Sequence, residues 1–239
     1  MKKIALFLML IVLSGCSATA PDISDGQTQN PDPIVKPIVA SFGNGESKGY
    51  VVGGMVNGEL VSYQVDDNYK LFDLTGEESY ILFSDDGETA TAETADVETT
   101  FVSSVGMYET IVTFDDAIDY GSKFIGIGNA DITATEKSVG NNSSFELDFD
   151  KDGKTETIIV EESEENIVVN LENQQGKTNI AEIVVDDVYT SDYALFTVDV
   201  NGDGNVELVL CKYGHDYSTE VYGITSDSLE TLIEYYMGN

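Results

Sequence analysis

The stretch DVNGDGNVELVL, Asp199 to Leu210, governs how the whole chain reads. Oxygen-bearing side chains stand at alternate positions, Asp199, Asn201 and Asp203. Gly204 and then Glu207 follow, after which the chain turns abruptly apolar. A second copy, DFDKDGKTETII, runs from Asp148 to Ile159. Aligned, both obey D-x-[DN]-x-D-G-x-x-E, with starts 51 residues apart. Asp-Gly is also a common hairpin turn, so one match in so acidic a chain carries little weight. Two matches with the same five positions, each running into a strand-like segment, are hard to obtain from composition.

The chemistry of this pattern is that of a hard cation. Calcium takes about six to eight oxygen ligands at ~2.3–2.6 Å. Alternate residues of a tight loop turn their side chains toward one centre, and the glycine supplies the sharp backbone turn. The expected ligands are Asp148, Asp150, Asp152, the Lys154 carbonyl and Glu156 in one loop. In the other they are Asp199, Asn201, Asp203, the Asn205 carbonyl and Glu207. Magnesium fits less well, because it demands octahedral geometry and keeps its waters. An EF-hand needs a glutamate at the twelfth position and flanking helices. The twelfth residues here are Ile159 and Leu210, inside apolar runs with strand character, so neither an EF-hand nor a dockerin is expected.

Strand signals dominate from Ile38 onward. GYVVGGMV and LVSYQV flank Asn57-Gly58, a hairpin turn signal. YKLFDL, SYILFS, MYETIVTF and KFIGIGNADITAT follow. After the first acidic loop come TIIVE, NIVVNLE, AEIVVDDVY, ALFTVDV, VELVLCKYG and STEVYGI. Val, Ile, Thr, Tyr and Phe are enriched there, as strands prefer. SDDGETATAETADVETT, residues 84–100, reads as a loop or irregular edge. Two short stretches read as helices, DDAIDYGS after Phe114 and DSLETLIEYYM near the C-terminus. The expectation is an all-β domain over residues 38–239.

The N-terminus reads as an export signal. Lys2 and Lys3 precede an apolar run, Ile4 to Leu13, that is short of the ~20 residues a membrane span needs. Leu13-Ser14-Gly15-Cys16 resembles a bacterial lipobox, which implies cleavage after residue 15 and lipidation of Cys16. Acyl chains there would hold the protein on the outer side of a bacterial membrane. Residues 16–37 hold all four prolines and little apolar content, and read as a disordered tether. Cys211 is the only cysteine after Cys16, so the domain has no internal disulfide.

The net charge is −33, with eleven basic residues, all lysine, against 44 acids. Nucleic acid and anionic membrane surfaces attract basic patches and are therefore not expected as partners. Cations are the natural ones, and bound divalent ions would relieve self-repulsion in the compact state.

The two loops resemble those of FG-GAP and VCBS-type repeats, found in integrin-type β-propeller blades. The resemblance implies a calcium loop joining two strands of a blade, with the residues named above as ligands. GYVVGGMVNGELVSY and YKLFDLTGE also resemble the first half of uncharacterised clostridial-type lipoproteins, a likeness extending over most of residues 42–230. The Phe-Gly/Gly-Ala-Pro signature is missing here. The 51-residue spacing matches a blade period of ~40–50 residues. About four such units would fit, which implies a small or partial β-propeller, with a β-sandwich as the alternative.

Enzyme signatures are scarce. His215, the only histidine, beside Asp216 reads as an exposed turn residue, since one histidine without cysteine partners builds no standard zinc site. Cys211 in VELVLCKY reads as a buried small apolar residue. G-x-S-x-G, Walker and H-E-x-x-H patterns do not occur. The expected protein is a surface-anchored, calcium-binding lipoprotein with a non-enzymatic binding or adhesion role toward a protein or glycan. A cell-wall glycan or peptide hydrolase, and a solute-binding or sensory lipoprotein, are the rivals. The first requires a cleft of convergent acids, the second an aromatic pocket; the thirteen tyrosines could supply such a face.

Overall fold

Runs of β-branched and aromatic residues broken by Asn, Asp and Gly become antiparallel strands throughout. The computed structural model describes residues 34–41, 47–64, 67–85, 88–104, 106–115, 123–129, 137–138, 143–148, 153–163, 166–173, 176–185, 190–214 and 216–238. Seven strands build the first sheet: β1 (Val35–Ala40), β2 (Lys48–Val56), β3 (Glu59–Ser62), β4 (Ser79–Ser84), β5 (Thr89–Val102), β6 (Met107–Phe114) and β7 (Phe124–Gly128). Their order is β1-β7-β4-β5-β6-β2-β3, and β1 also pairs with β2, so the pairings lead back to the first strand. β1 starts at Val35, earlier than the expected domain boundary at Ile38.

The rest of the chain forms two further sheets. A short strand, β8 (Lys137–Ser138), precedes β9 (Ser143–Leu147), β10 (Glu156–Glu162), β11 (Asn166–Asn173) and β12 (Gly176–Val184). Then come β13 (Thr190–Val198), β14 (Glu207–Gly214), β15 (Tyr217–Ile224) and β16 (Leu229–Met237). The second sheet runs β12-β11-β10-β9 and the third β16-β15-β14-β13-β8. Strands β9 to β12 and β13 to β16 are thus two successive four-stranded meanders. In each, an acidic loop joins the first strand to the second.

The third sheet has two apolar faces. Ala194, Phe196, Val198, Val209 and Cys211 join Ile38, Val51, Val112 and Ile127 of the first sheet in one core. Leu195, Leu208 and Leu210 join Phe145, Ile158, Val160, Ile167 and Val169 of the second sheet in another. Successive side chains of a strand point to opposite faces. A strand covered on both sides therefore reads as an unbroken apolar run, which is why VELVLC lacks alternation. Each fully buried aliphatic or aromatic side chain here contributes about 1.5–3 kcal/mol of transfer free energy.

The chain is all-β, and no α-helix occurs among the described residues. Asn57 (φ 54°) and Gly58 (φ 91°) make the expected tight turn between β2 and β3. Within β2, a side chain on Gly54 would meet the Lys36 carbonyl oxygen at 2.4 Å, so the β1–β2 crossing requires glycine.

Three local expectations are corrected. YKLFDL is not a strand: residues Asn68–Leu71 form a 3-10 turn, and Phe72 then drops into the core. Residues 84–100 are not a loop but supply most of β5, which spans 14 residues. Its apolar content is low because most of its side chains are exposed, while β4 and then β6 pair with its backbone. DSLETLIEYYM is not a helix but contains β16. The register shift between Val221 and Tyr222 leaves Leu232 unpaired opposite β15. That bulge interrupts the period-two pattern and mimics helical spacing. Of DDAIDYGS, all but Asp115 lies outside the described residues, as do Cys16, the signal segment and residues 16–33. No helix among the described residues is long and apolar enough to cross a membrane.

Candidate metal centre

The two acidic loops occupy equivalent positions. The first leaves β9 at Leu147 and enters β10 at Glu156; the second leaves β13 at Val198 and enters β14 at Glu207. The backbone N–H of Gly153 donates to Asp148 Oδ2 at 2.9 Å. The N–H of Gly204 donates to Asp199 Oδ2, also at 2.9 Å. Gly153 and Gly204 adopt φ values of +85° and +87°. That left-handed conformation suits glycine and lets the chain reverse behind the leading aspartate. The glutamates that close the loops, Glu156 and Glu207, are both buried. Sequence alignment and three-dimensional correspondence agree at each of these points.

The second loop is described throughout. Asp199 organises it as an Asx-type cap, its Oδ1 accepting the N–H groups of Gly202 at 2.6 Å and Asp203 at 3.1 Å. Asn201 Oδ1 accepts the Asp203 N–H at 2.8 Å, and Asp203 Oδ1 accepts the Asn205 N–H at 2.7 Å. Glu207 receives the Val200 N–H on Oε2 at 2.9 Å and the Asn201 amide on Oε1 at 3.0 Å. Burial pushes the Glu207 carboxyl up to about 8, the Val200 hydrogen bond works the other way, and the charges of Asp199 and Asp203 raise it further. A buried carboxylate beside two others is a place where a cation would be favoured.

Three oxygens in these loops test the fit of a metal. Asp148 Oδ1, Glu156 Oε2 and Asn205 Oδ1 are buried without a hydrogen-bond partner among the described residues. Buried acceptors are normally satisfied, and an unmade bond costs about 1–3 kcal/mol. Two of the three belong to residues expected to bind through their side chains; at Asn205 the expectation was the carbonyl. Asp150 and Asp152 of the first loop lie outside the described residues. No group of three or more His, Cys, Asp or Glu side chains with metal-holding geometry occurs among the described residues. In the second loop the carboxylates are turned toward the loop's own N–H groups. Asp199 Oδ1 already accepts two N–H groups, whereas Asp199 Oδ2, Asp203 Oδ1 and the two Glu207 oxygens each accept one there and keep a lone pair.

The donor set is all oxygen: carboxylates, one asparagine amide and backbone carbonyls. It suits a hard divalent cation and offers neither nitrogen nor sulfur for a softer metal. Cys211, on the strand that the second loop enters, is fully buried, and burial pushes its thiol up to about 12, so it is inert as a nucleophile. His215 lies outside the described residues.

Sequence reasoning did not single out an aromatic cluster on the first sheet. Tyr69 and Tyr108 stack with ring centroids 4.1 Å apart, and Phe101 lies 5.1 Å from Tyr108. The signal was present: Phe101 and Tyr108 bracket the short polar stretch Ser103 to Gly106. It was hidden because residues 84–100 read as a loop, which left Phe101 without a strand partner.

No family model matches the chain, and no curated protein or solved structure matches it.

Proposed function

We propose that the chain is a surface-anchored, calcium-binding lipoprotein whose β-domain acts as a binding or adhesion module and not as an enzyme. Each acidic loop would hold one calcium ion. Asp199, Asn201, Asp203, the Asn205 carbonyl and Glu207 would serve in one, and Asp148, Asp150, Asp152, the Lys154 carbonyl and Glu156 in the other. The ion would supply charge compensation and fix the loop between its two strands.

The observation that carries this reading is the repeat of one loop architecture in two successive meanders. The same glycine N–H meets the same aspartate oxygen at 2.9 Å in both. A four-stranded meander with its acidic loop between the first two strands also suits a propeller-type blade, and two such units favour the partial-propeller arrangement over a plain sandwich. Lipid anchoring is supported by the lipobox-like Leu13-Ser14-Gly15-Cys16. A binding role is supported by the lack of any catalytic signature in the sequence. The sites would fill in extracellular fluid, where such modules work at ~10⁻⁴–10⁻³ M calcium.

The test is a thermal melt of residues 17–239 with calcium, with magnesium and with chelator, run beside Asp150→Ala and Asp203→Ala. A calcium-selective rise in melting temperature, reduced in each variant, is expected, because a ligand bound only by the native state stabilises it by RT ln(1 + [L]/Kd). An identical melt in calcium and chelator would reduce the two loops to hairpin turns.

A further inference from the structure

Strand β5 changes partner midway. Thr89 to Glu93 pair with β4 on one side, and Thr94 to Val102 pair with β6 on the other. On the β4 side the N–H of Thr94 still reaches the Glu78 carbonyl at 3.2 Å. There the neighbouring chain turns away. The Glu78 carboxylate accepts the N–H groups of Thr75 and Gly76 at 2.8 and 2.9 Å, and Gly76 takes a φ of +79°. The segment before that turn lies on a face of the β5–β6 ribbon, where Tyr69 stacks on Tyr108 and Leu74 shares the core with Val97. From Ala95 to Val102, no strand lies on the β4 side of β5 among the described residues. This open edge runs roughly 27 Å at ~3.4 Å per residue. Alternate residues of a strand with one partner turn their N–H and C=O groups outward, and such an edge is a template for pairing with another chain.

The two faces beside that edge differ in chemistry, because successive side chains alternate between them. Val97, Thr99 and Phe101 share the face that carries Tyr108, and Phe101 is 52% exposed. Asp96, Glu98 and Thr100 share the opposite face with Glu109, which stands across from Thr100. Asp96 and Glu98 are exposed. Burial, with the charge of Glu98 beside it, raises the Glu109 carboxyl above its ordinary range. One face is thus apolar and aromatic, and the other is acidic. A second copy of this chain suits the edge badly, since it brings the same acids and sets −33 against −33.

We propose that the open edge of β5 takes an extended peptide segment of a partner protein as an added strand, with Lys or Arg at alternate positions beside Asp96 and Glu98 and apolar side chains between them beside Val97 and Phe101. An added strand draws affinity from main-chain hydrogen bonds and specificity from its alternate side chains. The outward backbone groups of β5 supply the first. Its acidic and apolar faces supply the second, and both demand the same alternation. Opposite charges on neighbouring strands attract and like charges repel, so an acidic segment is rejected. Glu109, one strand further in on the acidic face, adds to the field that a long basic side chain meets. The edge uses no residue of the acidic loops, so the inference stands without calcium binding.

The experiment titrates the full chain, in a non-ionic detergent, with an end-capped peptide of alternating lysine and valine as long as the edge. Calorimetry and amide hydrogen exchange follow binding at ~0.15 M salt, where charges further apart than about 8 Å are largely screened. Saturable binding is expected, with exchange slowed in β5 between Ala95 and Val102. The same peptide N-methylated at alternate residues keeps its charge and loses its strand hydrogen bonds, and should bind about tenfold more weakly or not at all. A peptide with the lysines and valines in two separate blocks should also bind weakly, because it lacks the alternation. Glu98→Lys should weaken the alternating peptide about threefold to tenfold, with the melting curve unchanged because the side chain is exposed. Glu230→Lys makes the same change of net charge at an exposed position of β16 and should bind like the parent chain. Calcium and chelator should give the same affinity, which separates this edge from the metal loops. No saturable binding, equal binding of the N-methylated or block-order peptide, equal losses in Glu98→Lys and Glu230→Lys, or protection that bypasses β5 would each overturn the proposal.

Discussion

The backbone N–H of Val200 donates to the Glu207 carboxylate at 2.9 Å, tying the exit of β13 to the entry of β14 beneath the acidic loop. This bond holds a carboxylate that is 3% exposed and lies near two further acids. It makes Glu207 the member of the loop that most needs a cation.

Glu207→Gln should therefore act in opposite directions with and without calcium. In chelator at neutral pH the variant should be more stable by about 1–2 kcal/mol, since a neutral amide spares the fold the protonation that burial forces on Glu207, and each pKa unit of that is worth ~1.36 kcal/mol. In calcium it should show a smaller rise in melting temperature than the parent chain. Chemical denaturation in both conditions measures this, and a variant that responds to calcium like the parent would remove Glu207 from the ligand set.

The pH dependence follows from the same group. The Glu207 carboxyl is raised from 4.5 to about 8 in the folded chain, so the fold binds a proton that the unfolded chain has released. Its contribution is fully present below 4.5 and is lost as pH rises through about 8. The metal-free domain should thus lose stability across that window, and calcium should flatten the slope. Melts in chelator and in calcium over this range provide the measurement.

Gly153→Ala and Gly204→Ala should each destabilise by about 1–2 kcal/mol, the cost of a left-handed conformation for a residue with a side chain. Among the described residues beyond the two chain neighbours, no atom stands within 4 Å of a Cβ at either site, so the loss would come from backbone conformation and not from a clash. Calcium affinity should fall alongside, because the glycine N–H orients the leading aspartate. Equilibrium unfolding of the two variants checks the energetic part.

Phe196→Ala should cost about 3–5 kcal/mol, the range for truncating a buried aromatic. Phe196 is fully buried in the core between the first and third sheets. If the first sheet were instead independent of the third, its own signals in hydrogen exchange would survive the substitution. Joint loss of protection in β1, β13 and β14 is the expected result.

How much was legible depended on whether the signal was local. The all-β character, the Asn57-Gly58 turn and the correspondence of Asp148 with Asp199 and Glu156 with Glu207 are all written in short stretches. Strand β5 was not, because its Thr and Ala residues carry little apolar signal and its hydrogen bonds go to β4 and β6. Strand β16 was not, because the bulge at Leu232 breaks the alternation that would have revealed it. The Tyr69, Phe101 and Tyr108 cluster needed three rings from two separate segments.

The sequence by itself determined that two acidic loops share one spacing of oxygen-bearing side chains around glycine, since that is a local chemical fact. It determined that strands prevail, since β-branched side chains lose rotamer freedom in a helix and pack well on a pleated surface. Only the tertiary structure decided that the third sheet lies between two cores, that Glu207 is buried enough to be raised to about 8, and that Tyr69 meets Tyr108. Burial, like-charge proximity and ring stacking are relations between residues distant in the chain. They come into being when the sheets pack, and no single stretch of sequence carries them.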